Sequence, residues 1–276
     1  MSDRTSVLII YTGGTIGMIR HHETGSLKPF DFNQISKEVP ALKKFGCKLS
    51  TISFEPPIDS SNVNPEIWIK LAKIIIENQD KYDGFVVLHG TDTMSYSASA
   101  LSFLLENIYK PVIFTGSQLP IETVRTDGKE NLITAIEIAA ARQNGHPVVP
   151  EVCIYFENKL YRGNRTTKQN AENFNAFRSD NYPPLAEAGV HIHYNHSLIY
   201  NPLQSKNRTG LKAIPKLQFD NNVAILKFFP GISENAVKAI LGTPGIKALV
   251  LETFGAGNTT TAQWFIKAIR QAVEKR

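Results

Sequence analysis

Hydroxyl, carboxylate and amine side chains that could bind a charged ligand or transfer a proton are concentrated in three short segments of the sequence. The first is TGGTIG at residues 12–17. Its paired glycines permit a tight turn whose backbone N–H groups are free to face an anion. The spacing differs from the dinucleotide-binding fingerprint, and the lysine of a phosphate-binding loop is missing. A plain turn with solvated threonines is the alternative interpretation.

The second segment is HGTDT at residues 89–93, and it precedes a helical pattern. Thr91 or Asp92 could simply cap that helix. The same position also presents N–H donors and the positive end of the helix dipole to a substrate carboxylate. Because a cap needs one polar residue and three are present, we favour a binding or catalytic role.

The third segment is YRGNRTTK at residues 161–168, and it ends in a lysine. Most lysines are surface charges. A lysine beside a threonine hydroxyl and an aspartate can instead form a proton relay, in which the amine holds the threonine ready and the aspartate orients it. Lys168, Thr91 and Asp92 therefore form one candidate group.

The elements around these segments predict where they meet. Near-continuous apolar runs at residues 6–11, 85–89, 111–115 and 152–156 are typical of strands buried on both faces of a parallel sheet. Helices are predicted between them, with one apolar face each: Trp68, Leu71, Ala72 and Ile75 after a cap at Asn64, and Leu132, Ala135, Ile136 and Ala139. The alternation predicts a doubly wound, mostly parallel α/β sheet, which binds ligands beyond the carboxyl ends of its strands.

Two domains are predicted. Residues 1–199 form the large catalytic α/β domain, residues 200–221 a polar linker, and residues 222–276 a smaller α/β domain. In the smaller domain we expect strands at residues 223–229 and 248–251, a helix capped by Ser233, and a last helix from about Thr261.

Composition and charge exclude several classes of protein. Of the 276 residues 42% are hydrophobic and 20% charged, which is ordinary for a folded globular chain. The net charge of +5 is scattered, so nucleic-acid binding is not expected. No apolar run suits a membrane span or a signal peptide, and two cysteines are too few for a disulfide framework. We therefore expect a cytoplasmic protein that binds neither nucleic acid nor membrane.

A histidine cluster at His191, His193 and His196 invites a metal-site interpretation, because alternate histidines can share a strand face. No cysteine or acidic set nearby completes a site, so no metal is expected.

The motifs resemble those of a known family. TGGTIG and HGTDTM are the two signature motifs of the bacterial-type L-asparaginases. The sequence is similar to the cytoplasmic type I branch in longer segments, in this order: YTGGTIGM, DSS, HGTDTMSYSASALSFLLEN, TGSQLP, LYRGNRTTK, NYPPLAEAGVHI and FGAGN.

The resemblance implies a role for each matching residue. Thr15 matches the nucleophile, and Thr91 matches a second catalytic threonine that Lys168 and Asp92 tune. The substrate's α-amino and α-carboxylate groups would be held by a set of five residues: Asp59, Ser60, Ser61, Thr91 and Asp92.

The implied reaction is hydrolysis of the side-chain amide of L-asparagine through a threonine acyl-enzyme, without a cofactor. Asn258 matches a residue that a neighbouring subunit contributes, so a homodimer or a dimer of dimers is implied.

Two features depart from the family pattern. The family usually has a tyrosine on the mobile segment after the first motif, whereas residues 20–27 contain none. Relatives also continue beyond this C-terminus, so the smaller domain is expected to be incomplete. We expect residues 19–28 to close over a ligand. Two alternatives stay open: a glutaminase-asparaginase of broader specificity, and an amino-acid-binding homologue with impaired catalysis.

Overall fold

The structure is a computed structural model, and it describes residues 4–20, 27–29, 39–40, 42, 46–200 and 214–274. The described helices are α1 (Pro65–Asn78), α2 (Met94–Leu104), α3 (Gly128–Ala140), α4 (Glu234–Leu241) and α5 (Gln263–Glu274). The described strands are β1 (Ser6–Tyr11), β2 (Met18–Arg20), β3 (Leu27–Pro29), β4 (Lys48–Ser53), β5 (Gly84–Leu88), β6 (Leu105–Glu106), β7 (Val112–Thr115), β8 (Arg142–Gln143), β9 (His146–Pro147), β10 (Val152–Phe156), β11 (Lys159–Arg162), β12 (Thr167–Lys168), β13 (Phe177–Arg178), β14 (Ala186–Ala188), β15 (Ile192–Tyr194), β16 (Ile214–Pro215), β17 (Val223–Lys227) and β18 (Ala248–Glu252).

Eight strands form the main sheet, in the order β15-β14-β11-β10-β7-β5-β1-β4. The five strands from β10 to β4 are parallel, and β11, β14 and β15 continue the sheet in antiparallel pairing. The antiparallel extension begins at β11 because only Glu157 and Asn158 separate it from β10, and both have positive φ, as hairpin turns require. A parallel partner would need a crossover of a dozen or more residues.

Helices cover both faces of the parallel strands. Along β1, Val7 and Ile9 pack in one core cluster with α3, whereas Leu8 and Ile10 pack in the other with α1 and α2. Successive side chains of a strand point to opposite faces, so burial of both faces requires an uninterrupted apolar run. This is the physical reason for the SVLIIY sequence of β1.

Helix α1 begins as its sequence predicts. The Asn64 side-chain oxygen accepts a hydrogen bond from the Ile67 N–H at 3.1 Å, and Pro65 occupies the first helical position. The Asn64 side chain thus gives an acceptor to the Ile67 N–H, one of the first N–H groups of the helix. Proline has no backbone N–H, so Pro65 leaves no unpaired donor at the first position. The helix places Leu71, Ala72 and Ile75 in the core.

The chain divides into two compact units, residues 1–217 and 218–276. In the second unit β17 and β18 pair in parallel, and α4 and α5 contribute to a small core that contains Leu226, Val237 and Phe265. Ser233 caps α4 by accepting from the Ala236 N–H at 3.2 Å. The segment predicted as a linker includes β16, which pairs with β6 and so belongs to the first unit. Within the described residues, no helix has the length and apolar character that crossing a membrane requires.

Candidate active site

The candidate residues lie on loops that leave the carboxyl ends of neighbouring parallel strands. The chain pairs β1 first with β4 on one side and then with β5 on the other, so its winding reverses at β1. Open α/β sheets bind ligands in the crevice beyond such a reversal. TGGTIG follows β1, HGTDT follows β5, and TGSQLP begins at the last residue of β7.

Glycine lets the backbones of these loops touch. Gly14 has a φ of 92°, in the left-handed region, and a Cβ atom there would lie 2.5 Å from the Gly90 nitrogen. A Cβ atom on Gly13 would overlap the backbone of Ile58. Because these positions have no room for a side chain, glycine is required for the first loop to contact both HGTDT and Ile58, the residue before DSS.

The two threonines of the first loop have different surroundings. Thr12 is 3% exposed, and its hydroxyl donates to the Leu88 carbonyl at 2.9 Å. Thr15 begins a 3-10 turn anchored by the buried Ile16, and it is half-buried. Among the described residues, no side chain or backbone group hydrogen-bonds to the Thr15 hydroxyl. Thr12 therefore attaches the loop to β5, whereas Thr15 lies half-buried in the turn that follows.

The DSS segment presents an exposed carboxylate on a fixed turn. Asp59 Oδ1 accepts from the Ser61 N–H at 2.9 Å and from the Ser61 hydroxyl at 2.8 Å. The backbone hydrogen bond from Ser61, followed by the hydroxyl hydrogen bond, lowers the pKa of Asp59. The turn is held against HGTDT because Thr93 Oγ1 donates to the Ser60 carbonyl at 2.7 Å. A carboxylate in this position can bind an ammonium group.

Lys168 joins the second and third motifs. Its Nζ donates to Thr91 Oγ1 at 2.9 Å and to Asp92 Oδ1 at 2.6 Å. The Lys168 side chain is 17% exposed, whereas that of Asp92 is 64% exposed. The amine is therefore shielded from solvent while its carboxylate partner stays accessible. The structure brings together all three members of the candidate group.

Helix α2 does not use Thr91 or Asp92 as a cap. Its N-cap residue is Thr93, which makes no side-chain capping hydrogen bond. The polar groups of Thr91 and Asp92 bind Lys168 instead. The alternative interpretation, in which these two residues merely cap the helix, is wrong.

The sequence reasoning assigned no role to Gln118 or Asp127, although TGSQLP was among the matching segments. Gln118 Nε2 donates to the carbonyls of Ala171 and Asn173 at 3.1 and 3.0 Å, and its Oε1 accepts a longer, 3.4 Å hydrogen bond from Thr91. It thus links Thr91 to the loop after Lys168. The position of TGSQLP at the end of β7, on the same sheet edge, was the signal that could have identified it.

Asp127 stabilises the backbone of the TGSQLP loop that contains Gln118. Its carboxylate accepts hydrogen bonds from the backbone N–H groups of Gln118 and Leu119 and from the Asn131 side chain. Burial raises the pKa of Asp127, and these hydrogen bonds act against that increase. Asp127 therefore holds the Gln118 backbone beside Thr91.

Three candidates remain: Asn258, the histidine cluster and the segment predicted to be mobile. Asn258 is exposed in the second unit, where its carbonyl accepts from the Phe254 N–H at 3.0 Å. His193 pairs with Glu187 across β14 and β15, and within the described residues no group of three metal-ligating side chains is close enough to hold an ion. In the predicted mobile segment, Ile19 and Arg20 pair with Lys28 and Leu27, and residues 21–26 lie outside the described residues.

The fold and site define a class of α/β proteins in which a threonine hydroxyl, a carboxylate and an amine meet where the order of the parallel strands reverses. Residues 6–200 match the family model for the N-terminal domain of asparaginases. Residues 222–276 match the model for the glutaminase/asparaginase C-terminal domain. The chain belongs to the asparaginase family.

Individual relatives agree with this assignment. The chain is 39% identical to L-asparaginase 1 of Escherichia coli (strain K12) over 285 residues, which cover 99% of this chain and 77% of the relative. The crystal structure of L-asparaginase I from Vibrio cholerae O1 biovar eltor str. N16961 superposes with a TM-score of 0.84 at 37% identity, covering 99% and 79% of the two chains. A probable cytoplasmic L-asparaginase from Campylobacter jejuni superposes with a TM-score of 0.76 at 26% identity. The match covers 99% of this chain and 81% of that chain. The predicted family, fold class and hydrolase assignment are confirmed.

Proposed function

We propose that this protein is an L-asparaginase, which converts L-asparagine and water to L-aspartate and ammonia. The proposal depends above all on one observation: Lys168 Nζ donates to both Thr91 Oγ1 and Asp92 Oδ1, next to the glycine loop that bears Thr15. A hydroxyl bonded to an amine that a carboxylate also binds is suited to proton transfer, and a second hydroxyl, which has no hydrogen-bond partner among the described residues, is suited to nucleophilic attack.

In the proposed reaction Thr15 is the nucleophile. Its hydroxyl oxygen attacks the amide carbon, and its proton passes to the amide nitrogen, which leaves as ammonia. Water then attacks the resulting ester and restores the hydroxyl, with release of aspartate. Thr91 and Lys168 carry the protons, and Asp92 orients the amine. Backbone N–H groups of the glycine loop and of the turn at Thr91 would stabilise the oxyanion, each contributing about 3–4 kcal/mol.

The substrate's α-groups would bind beside this machinery. Asp59 and Asp92 offer carboxylates to the α-ammonium group, and Ser60, Ser61 and the side chain of Thr91 complete the set of residues that holds the α-groups. The hydrogen bonds from Ser61, which lower the pKa of Asp59, are consistent with this role because they favour the carboxylate form. No cofactor takes part in the proposed chemistry.

We further propose that the protein works in the cytoplasm as a homodimer or a dimer of dimers, with Asn258 contributed to a neighbouring subunit's site. The likeness to the probable cytoplasmic L-asparaginase from Campylobacter jejuni supports a cytoplasmic location. The match of FGAGN to the family pattern supports the role of Asn258.

Ammonia release from asparagine, measured beside glutamine, tests the proposal. We expect turnover of asparagine to exceed that of glutamine, although the two differ by one methylene, which a pocket discriminates by about 1–3 kcal/mol. Comparable turnover of both would identify a glutaminase-asparaginase. Binding of asparagine without ammonia release would identify an amino-acid-binding protein instead.

Thr15→Ala tests the nucleophile. We expect ammonia release to fall about a thousandfold or more while asparagine binding, measured by calorimetry, stays within a few-fold, because the hydroxyl acts in acyl transfer. Thr243→Ala is the matched control, since the Thr243 hydroxyl is exposed and donates to the Ala239 carbonyl of α4. A Thr15→Ala variant that kept more than a tenth of the activity would exclude Thr15 as nucleophile.

A further inference from the structure

His89 lies buried at the start of HGTDT, and both of its ring nitrogens have hydrogen-bond partners. Nδ1 is 2.7 Å from the Gly90 carbonyl oxygen, and Nε2 is 2.9 Å from Ser97 Oγ. The Trp68 indole Nε1 donates to the same Ser97 oxygen at 2.9 Å. The chain of hydrogen bonds therefore runs from α1 through α2 to the loop that carries Thr91.

The chemistry of these partners assigns the protons. A carbonyl oxygen only accepts, so His89 Nδ1 must carry a proton and donate it to Gly90. An indole N–H only donates, so Ser97 Oγ accepts from Trp68 and is free to donate its own proton to His89 Nε2. With a neutral imidazole protonated on Nδ1, each of these donors has an acceptor and each ring nitrogen has a partner.

This hydrogen bond determines which way the next peptide bond faces. The Gly90–Thr91 peptide is trans, since the only cis bond among the described residues is Glu55–Pro56. In a trans peptide the C=O and N–H point in opposite directions. With the Gly90 carbonyl turned inward to His89, the Thr91 N–H points away from the core. That N–H has no acceptor within the described part of the chain.

We propose that His89 is a positioning residue, which holds the Gly90 carbonyl so that the Thr91 N–H faces the reacting amide as an oxyanion donor. The inference rests on the proposed asparaginase activity, and it goes beyond the residues that the family pattern assigns. The neighbours of Gly90 leave the peptide little freedom, because a Cβ atom on Gly90 would lie 2.5 Å from Ser60 Oγ.

Two substitutions separate this role from simple core packing. Asparagine places an amide near the Nδ1 position, so His89→Asn keeps a donor for the Gly90 carbonyl and loses the partner of Ser97. Glutamine places its amide near the Nε2 position, so His89→Gln keeps the partner of Ser97 and loses the donor to Gly90. Asparagine is the smaller residue and leaves the larger cavity beside Phe114, whose ring centroid is 5.9 Å from that of His89.

The kinetic test compares kcat and KM of the two variants for asparagine. We expect His89→Gln to lower kcat about a hundredfold, as loss of one oxyanion donor does, and His89→Asn to lower it less than about tenfold. KM should change less than about threefold in both, because the groups that hold the α-amino and α-carboxylate are untouched. His89→Asn should nevertheless be the less stable variant in urea unfolding. Equal kcat values, or a higher kcat for His89→Gln, would overturn the inference.

A spectroscopic test does not depend on activity. Long-range ¹H–¹⁵N NMR spectra of the wild-type protein at neutral pH should show His89 protonated on Nδ1 and unprotonated on Nε2, and Ser97→Ala should shift the Nε2 resonance. Protonation on Nε2 would overturn the inference. If the wild-type protein released no ammonia, the proposed function would fail, and this spectrum would still decide whether His89 donates to Gly90.

Discussion

At the scale of single residues, Lys168 is the side chain on which the second and third motifs converge. Its side chain is only 17% exposed, whereas the other lysine ion pairs among the described residues are more solvated: Lys216–Glu106, for example, joins side chains that are 65% and 44% exposed. Exposed pairs contribute little free energy. A shielded lysine bonded to a hydroxyl is therefore better explained by chemistry than by stability.

Replacing Lys168 with methionine should remove the proton-carrying amine and retain most of the packing volume. We expect kcat for asparagine to fall by about 10²–10⁴, the usual contribution of general acid–base catalysis. Lys216→Met is the matched control, since it removes an exposed amine with a 2.7 Å carboxylate contact, and its kcat should stay within about twofold of wild type. Similar losses in the two variants would argue against a catalytic role for Lys168.

The burial of His89 also predicts how stability depends on pH. Burial lowers the pKa of His89 to about 4, although the hydrogen bond to Gly90 acts in the opposite direction. The unfolded chain, with an ordinary histidine pKa near 6.5, therefore takes up a proton first as the pH falls. The contribution of His89 is fully present above about pH 6.5 and is lost progressively toward pH 4, by at most about 3 kcal/mol.

Urea unfolding between pH 7 and pH 4 measures this contribution. The free energy of unfolding of the wild-type protein should fall more steeply with decreasing pH than that of His89→Gln, which cannot titrate. His146→Gln is the control, because His146 is exposed and bonds only Tyr109 in the described structure. Identical pH dependence in wild type and His89→Gln would show that His89 is not held neutral by burial.

At the scale of elements, the loop after β1 depends on glycine for two separate reasons. Gly14 needs a positive φ of 92°, and it also contacts the backbone of Gly90. Gly145, in the turn between β8 and β9, shares the first requirement with a φ of 78° but has no atom within 4 Å of the position of a Cβ. A comparison of the two glycines therefore distinguishes the effect of a positive φ, which both share, from the effect of close backbone contact, which only Gly14 makes.

Alanine at these two positions should have different effects. Gly145→Ala should cost about 1–2 kcal/mol, the price of a left-handed conformation, and leave kcat unchanged. Gly14→Ala should cost more and reduce kcat at least tenfold, because the loops bearing Thr15 and Thr91 must separate. Chemical denaturation and ammonia release measure both quantities. Equal losses of stability with normal activity in Gly14→Ala would contradict the importance of the loop contact.

At the scale of the whole molecule, the second unit has an apolar face that its own core does not use. Alternate side chains of β17 and β18 point outward, and Val223, Ile225 and Val250 are 46%, 66% and 54% exposed. Neighbouring apolar side chains on one sheet face favour association. This face supports the proposed self-association of the chain.

Sedimentation analysis should accordingly find a dimer or a larger assembly. Ile225→Lys should shift the population toward monomer and lower the specific activity, because the proposed site is completed by a second subunit. Val190→Lys is the control, since Val190 is 96% exposed in the first unit and should leave the assembly unchanged. A monomeric wild-type protein with full asparaginase activity would contradict the prediction.

Much of the fold follows from local features of the sequence. The runs that form β1 and β10 are apolar throughout because helices cover both faces of the sheet, and Asn64 with Pro65 specifies the start of α1. The antiparallel strands β11, β14 and β15 were not predicted, since short strands with partly polar sequences carry little periodic signal. Residue types indicated Thr91, Asp92 and Lys168 as one candidate group, the family motifs added the roles of the other site residues, and all of these roles stay predictions that the variants above test.

By itself, the sequence determined the buried parallel strands such as β1 and β10, the caps of α1 and α4 and the glycine positions, because these depend on side-chain period and backbone conformation within a few residues. Only the tertiary structure decided which side chains meet. Lys168 contacts Thr91 across a separation of 77 residues, and Gln118 reaches Ala171 across 53. The hydrogen bonds around His89 likewise involve Trp68 and Ser97, which lie on two different helices. Such contacts depend on the order of the strands in the sheet and on which side chains are buried together. Neither can be read from the spacing of residues along the chain.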